Sequence, residues 1–294
     1  MDVSIIIVNY NTLELTRKCL KSIYEKTKDI EYEVIVSDNG SCDGSVEMIK
    51  NEFPQVILIE NNANLGFGKA NNIGYQHAKG KYLFLLNSDT VLLNNAVKLF
   101  ADEIQTLPEN IACLGCRLCN EDGKIIHSYG NFPTFWNELK RKPLHILVRL
   151  KLADEGFDSK PAIPLDNGII QVEYVTGADL FIKKSVADRF GLFDEDFFLY
   201  YEETEMQHRY KKNGFYSCIT STPKIIHKVS GSSGSNSFGL DIKSMMLCFD
   251  KIYGTRRKRV FQVVFFILSL PIMLIDFRFP LKKRMNYLNQ IIKG

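Results

Sequence analysis

The sequence of 294 residues has little net charge, no long uninterrupted apolar run and a single tryptophan. Its formal charge of +3, from 37 basic and 34 acidic side chains, is too balanced for a nucleic-acid binder. The chain opens without a charged segment, an apolar core and a cleavage site, and its seven cysteines are odd in number and scattered. That usage belongs to a reduced compartment, so the expectation is a cytoplasmic protein. A Walker A loop, a His-Glu-x-x-His helix and a Gly-x-Ser-x-Gly elbow are all missing. Gly66 and Gly68 begin a Gly-x-Gly, but Asn71 stands where the third glycine of a dinucleotide fingerprint belongs. Cys113, Cys116 and Cys119 have metal-like spacing, yet no second Cys-x-x-Cys or nearby His completes four ligands, and they lie in an apolar run. Buried strand cysteines are the better reading.

What is present is a core-forming composition, 45% hydrophobic and 12% aromatic, enough for one or two domains and unlike a disordered or collagen-like polymer. Short β-branched runs at 3–8, 33–36, 56–59, 82–86 and 111–118 predict strands. Between them, apolar spacings of three and four predict helices over 13–25, 45–51, 68–78 and 95–107. Apolar strands separated by helices imply a parallel sheet covered on both faces, whose ligands bind beyond the carboxyl ends of the strands. Those ends are polar four times in succession: 9–12, 37–41, 61–66 and 87–90. One such turn is an ordinary helix cap, whereas four on one edge favour a polar ligand. Further along, 131–167 is irregular, with four prolines and Trp136. A strand is expected at 170–175, a helix at 200–212, short strands at 215–219 and 224–227, and a Gly/Ser loop at 230–239.

The chemistry left to explain is carried by Asp38, Asp89 and the acidic clusters Asp194, Glu195, Asp196 and Glu202, Glu203, Glu205. In order, SIIIVNYNT, EVIVSDNGSCDGS, NLGFGKANNIG, LLNSDT, VTGADLFIKKSV, FDEDFFLYYEETEMQHR and IIHKVSGSSG resemble the successive motifs of a family 2 glycosyltransferase. The bacterial rhamnosyltransferase-like subgroup is the nearest, and the resemblance covers about residues 1–235. It implies a GT-A fold, an α/β Rossmann-like mixed sheet flanked by helices, with a nucleotide-sugar donor, a divalent cation (Mn²⁺ or Mg²⁺) and inversion by direct displacement. Residues 1–120 would form the nucleotide-binding half and 121–235 the acceptor and catalytic half.

Within that resemblance, Asp38 matches the residue that accepts a pyrimidine N3–H, with Val8, Asn9 and Tyr10 as the neighbouring wall. Asn64, Gly66, Phe67 and Asn72 match the donor loop. Asn87, Ser88 and Asp89 stand for the Asp-x-Asp motif with only the last position charged. Asp89 and His227 are the implied metal ligands. Gly177, Ala178 and Asp179 match a small-residue turn under the donor sugar and acceptor. Glu203 falls where the family has the catalytic Asp, one methylene shorter, and Glu202 beside it supports it or binds acceptor. Trp136 has two readings, stacking on an acceptor sugar or packing. A different class of function, a non-catalytic nucleotide-sugar-binding scaffold, would read Asn87 and Glu203 as decay from the Asp-rich pattern. A nucleotidyltransferase would need a Gly-rich loop with Arg after the first strand, which 9–12 does not provide.

The charge is unevenly placed. Residues 256–294 hold nine Lys or Arg against one acid, a tail of +8, so the first 255 residues carry −5. Within the tail, 260–275 is a 16-residue run broken by Gln262, Ser269 and Pro271, about 24 Å as a helix against a bilayer core of about 30 Å. Basic residues on both sides favour residues 236–294 as a helical tail lying on an anionic membrane. The alternatives are a buried C-terminal helix or a homodimer contact. The implied reaction is sugar transfer from dTDP-rhamnose or a UDP-sugar to a glycan acceptor, lipid-linked, for a cell-surface polysaccharide at the inner face of the membrane.

Overall fold

The computed structural model describes residues 1–141, 163–165, 168–228, 240–275 and 281–293. Its strands are β1 Val3–Asn9, β2 Tyr32–Asp38, β3 Ile57–Glu60, β4 Tyr82–Leu86, β5 Thr90–Leu92, β6 Ile111–Cys116, β7 Tyr129–Gly130, β8 Ile163–Pro164, β9 Ile170–Val172, β10 Tyr174–Val175, β11 Asp179–Lys183, β12 Tyr216–Thr220 and β13 Ile225–His227. The helices are α1 Leu13–Lys26, α2 Ser45–Glu52, α3 Phe67–Gln76, α4 Ala96–Thr106, α5 Phe135–Arg141, α6 Lys184–Phe190, α7 Glu202–Lys212, α8 Leu240–Tyr253, α9 Thr255–Ile275 and α10 Leu281–Lys293. The Gly/Ser loop expected at 230–239 and most of the irregular middle lie outside the described residues.

Nine strands form the main sheet in the order β3-β2-β1-β4-β11-β6-β12-β9-β8. The apolar run of β1 is parallel to both neighbours, pairing Val3 with Tyr32 on one side and Tyr82 on the other. Alternation sends Ile5 and Ile7 to one face, against Leu20 and Ile23 of α1 and Phe100 of α4. Ile6 faces the other way, into a cluster with Leu83, Leu85 and Met206 of α7. The parallel expectation holds for β3-β2-β1-β4, but β11 inserts antiparallel between β4 and β6, so the sheet is mixed. Strand pairing is non-local, and a run such as DLFIK carries no direction of its own.

Two further expectations change. The strand over 170–175 divides at Glu173, with β9 in the main sheet and β10 paired to β7. The helix expected from residue 200 begins at Glu202, because Tyr200 and Tyr201 both adopt left-handed backbone, φ 71° and 69°. The cysteine reading holds for two of the three: Cys113 and Cys116 of β6 are buried in the clusters on opposite faces of the sheet, whereas Cys119 lies beyond the strand and is half-buried.

The C-terminal helices make a third cluster, with Met245, Met246 and Phe249 of α8 against Phe261 and Phe265 of α9 and Leu288 and Ile291 of α10. Phe249 and Phe261 stack with ring centroids 4.0 Å apart. α8 is also tied to the body. Ser244 Oγ donates to the Leu199 carbonyl at 2.6 Å, Tyr253 donates to the Pro133 carbonyl at 2.7 Å, and Lys251 pairs with Asp194 at 2.7 Å.

Gly80 tests the register of the central strands. A Cβ there would lie 2.4 Å from the Ser4 nitrogen and 2.7 Å from the Val3 carbonyl carbon, both backbone of the sheet. Gly80→Ala is expected to cost about 1–3 kcal/mol through overpacking, read as a lower urea midpoint. An unchanged midpoint would mean that β1 can yield at this point.

Candidate active site

The site begins with one amide at the end of β1. Asn9 is fully buried and donates from Nδ2 to Asp38 Oδ2 at 2.6 Å and to Ser41 Oγ at 3.0 Å. Its Oδ1 accepts from Thr12 at 2.7 Å and Thr16 at 2.6 Å. All four hydrogen-bonding positions of the side chain are therefore used within the protein. Asn9, expected on the nucleotide wall, instead positions Asp38. Asp38 Oδ1 receives the backbone N–H groups of Gly40 and Ser41 at 3.0 and 2.8 Å. Three donors leave one lone-pair direction on the carboxylate. Val8 is half-buried and Tyr10 is exposed beside it.

From Asp38 the polar edge continues without a break. Asn39 Nδ2 donates to the Gly66 carbonyl at 3.1 Å, and the Gly66 N–H reaches Asn64 Oδ1 at 3.1 Å. Gly66 has φ +89°, and a Cβ there would stand 2.4 Å from the Phe198 carbonyl oxygen, so only glycine lets the donor loop approach this segment. The Phe67 N–H then bonds that same carbonyl at 2.8 Å. Asn72 faces away, exchanging hydrogen bonds with the Phe193 backbone at 2.8 and 3.1 Å. It fastens α3 to the loop before α7.

On the other side of β1, Asn87 donates its N–H to the Ala178 carbonyl at 3.0 Å, which sets the 87–89 turn on the start of β11. Ser88 Oγ lies 3.1 Å from Thr12 Oγ1, and Asn87 Oδ1 is buried without a partner. Antiparallel pairing of β13 with β5 places His227 opposite Thr90. His227 Nε2 thereby stands 3.2 Å from Asp89 Oδ1, with Asp89 buried. Asp179 is fully buried below, not on the cleft surface. Its Oδ2 accepts the Cys116 N–H at 2.7 Å, its Oδ1 has no partner, and burial pushes its pKa up to about 7. Among the described residues no three His, Cys, Asp or Glu side chains converge on a metal position.

The acids sit at the first turn of α7, where the left-handed pair Tyr200–Tyr201 turns the chain into the helix. Glu202 is buried with Oε2 unpaired, and burial followed by the charge of Glu203 raises its pKa. Burial likewise raises Glu203 above the ordinary carboxylate range. A Cβ built on Gly177 would lie 3.5 Å from the Phe67 ring and 3.9 Å from Glu203 Cβ, so the space beside this glycine is bordered by both residues. Glu205 serves structure, bridging Arg209 at 3.1 Å. Trp136 stands apart on α5, 68% exposed and in edge contact with Phe135.

Sequence reasoning missed the residues that hold these groups. Gln207 donates to the Val175 and Glu203 carbonyls at 2.8 and 3.0 Å and accepts from Val175 N–H and Ser217, both at 2.8 Å, locking α7 to β10 and β12. Tyr201 reaches Glu138 of α5 at 3.3 Å. Thr12, Thr16 and Ser41 were visible only as turn or helix residues.

Residues 4–159 match the model of glycosyl transferase family 2. The chain belongs to this family. A low-salt glycan biosynthesis hexosyltransferase of Haloferax volcanii is 24% identical over 100% of this chain and 89% of its own length. An N-acetylglucosaminyl-diphospho-decaprenol L-rhamnosyltransferase of Mycobacterium tuberculosis is 24% identical over 68% of each chain. Among solved structures, S. aureus TarS residues 1–349 with UDP-GlcNAc aligns with TM-score 0.62 at 16% identity, covering 99% of this chain and 79% of that one. A mannosyltransferase of Pyrobaculum calidifontis with GDP-Man and Mn²⁺ aligns with TM-score 0.60 at 15% identity, over 91% and 71%. A longer TarS chain is covered over 43% of its length. The mixed sheet with helices on both faces is thus the GT-A fold of a family 2 glycosyltransferase.

Two outcomes test the site's scaffold. Asn9→Ala removes a charge-assisted donor from buried Asp38 and is expected to cost about 1.5–3 kcal/mol, seen in urea unfolding, together with weaker nucleotide binding by calorimetry. Wild-type nucleotide affinity in that variant would show that Asp38 needs no such support. For Asp179, the folded state holds its proton up to about pH 7 whereas the unfolded value is 3.8, so its contribution to stability falls as pH rises between these values. Asp179→Asn is expected to flatten that slope in thermal unfolding measured across the range.

Proposed function

We propose that this family 2 glycosyltransferase moves a sugar from a nucleotide-sugar, a UDP-sugar or dTDP-rhamnose, to a lipid-linked glycan acceptor with inversion at the anomeric carbon. One observation carries the reading: Asn39, next to Asp38, bonds the Gly66 carbonyl, the missing side chain of Gly177 leaves open a space bordered by the Phe67 ring and Glu203, and the Ala178 carbonyl that follows holds the Asn87–Asp89 turn, so these groups adjoin one another. The acceptor class is supported by the mycobacterial relative, whose name specifies a diphospho-decaprenol-linked sugar. The donor class is supported by the structural relatives solved with UDP-GlcNAc and GDP-Man.

In this reading the free lone pair of Asp38 accepts a base N–H, and Gly66 brings its backbone close to the donor. A carboxylate and an imidazole facing each other suit Mg²⁺ or Mn²⁺, which bind few protein groups and take the rest of their shell from phosphate and water. Asp89 and His227 would hold the cation, which supplies Lewis-acid neutralisation of the departing diphosphate. Glu203, as carboxylate, takes the proton of the acceptor hydroxyl while that oxygen bonds the anomeric carbon and the bond to the diphosphate oxygen breaks. Gln207 holds the helical turn that carries Glu203, and burial together with the charge of Glu203 raises the pKa of Glu202 beside it, which favours its uncharged form. The enzyme would work at the cytoplasmic face of the membrane, where a lipid-linked acceptor is found.

The deciding experiment combines a calorimetric screen of UDP, dTDP and GDP with Mn²⁺ and a transfer assay of Glu203→Gln. The variant is expected to lose at least about 100-fold in kcat while its nucleotide affinity stays within about twofold. In the wild type, kcat/KM rises with pH through a limb above the usual Glu range of about 4.3, because the raised group must ionise first. Normal turnover by Glu203→Gln would sink the assignment.

A further inference from the structure

α9 is apolar on two opposite faces. Phe261 and Phe265 are buried against α8 and α10. Arg256, Val260, Val263, Ile267 and Leu270 are spaced four, three, four and three residues apart, which puts them in a single stripe on the other side. Val260, Val263 and Ile267 are 57%, 58% and 60% exposed. Scattered apolar residues on a surface need no explanation, whereas a continuous stripe on a helix marks a surface that meets an apolar partner. α10, packed antiparallel through Gln262 Nε2 to the Ile291 and Ile292 carbonyls at 2.6 and 2.9 Å, adds exposed Leu281, Met285 and Ile292.

Charge chooses the partner. Neither α9 nor α10 contains an Asp or Glu. Arg256, Arg257 and Arg259 head the stripe, and Lys282 and Lys293 are exposed on α10. Two copies meeting through this face would set like charges together, whereas an anionic lipid surface matches both the apolar stripe and the basic residues. No helix among the described residues is long and apolar enough to cross a membrane. We infer that the outer face of α9, with the exposed side of α10, is a docking face that lies in the plane of an anionic bilayer. This deepens the reading of a lipid-linked acceptor and rests on it. α8 joins the face to the loop before the catalytic acids through Ser244 to Leu199 and Lys251 to Asp194.

The test is flotation of the full chain with phosphatidylcholine vesicles, with and without phosphatidylglycerol, alongside Val263→Glu/Ile267→Glu and Arg256→Glu/Arg257→Glu. Wild type is expected to float with the anionic vesicles only and to be released by high salt. Each double variant, folded by circular dichroism, is expected to lose at least tenfold in bound fraction. Three results would overturn the inference: no flotation of wild type, equal flotation with neutral vesicles, or full retention by Val263→Glu/Ile267→Glu. A wild-type dimer in light scattering that this variant converts to monomer, without vesicle binding, would assign the face to a second copy instead. Glu203→Gln should float as wild type does, so failure of docking and failure of the catalytic reading remain separable.

Discussion

The contact on which the rest of the site depends is the buried pair of Asn9 and Asp38, 2.6 Å apart at the ends of β1 and β2. These residues are in register across the parallel ladder, so the sheet itself brings amide and carboxylate together. A carboxylate held at 1% exposure survives only if its lone pairs are met, and Asn9 with the Gly40 and Ser41 N–H groups meets three of them. The same amide reaches the start of α1 through Thr12 and Thr16, and Thr12 touches Ser88 in the 87–89 turn. One side chain therefore couples the Asp38 end of the edge to the 87–89 turn.

The parts of this arrangement that were legible in the sequence are those set by local pattern. The all-apolar run of β1 has to be a central parallel strand, and four polar strand ends have to line one edge. Roles along that edge were harder to read, because Asn at a strand end serves equally as cap, ligand contact or internal strut. Asn9, Asn64 and Asn72 all make internal hydrogen bonds, to Asp38, to the Gly66 N–H and to the Phe193 backbone, and nothing in the chemistry of their sequence neighbours announces these partners. Non-local pairing hid the rest. The insertion of β11 beside β4 buries Asp179, and the β5–β13 pair alone brings His227 to Asp89, a contact between residues 138 positions apart that only the family resemblance anticipated.

The turn into α7 shows why its residues resist local reading. Periodicity over 200–212 is helical throughout, yet the helix waits until Glu202 because two tyrosines take left-handed backbone, at a cost on the order of 1–3 kcal/mol each. Tertiary contacts offset that cost: the Phe67 N–H on the Phe198 carbonyl, Ser244 on Leu199, and Tyr201 on Glu138. Burial of Glu202 and the partial burial of Glu203 then follow from where the turn is held, and loss of solvation raises both pKa values. Strain, burial and basicity are successive consequences of one packed loop.

That loop also alters the meaning of the tail. Composition divides the chain into a −5 body and a +8 end, which suggests an appendage. The packing is continuous instead, since Cys248 and Ile252 of α8 share a cluster with Phe197, and the opposite side of α8 shares another with Phe261 and Phe265 of α9. One helix thus packs against the turn before Glu202 on one side and against a basic, apolar-faced helix on the other. Little net charge overall is then what remains when a −5 body and a +8 end are packed together through one helix.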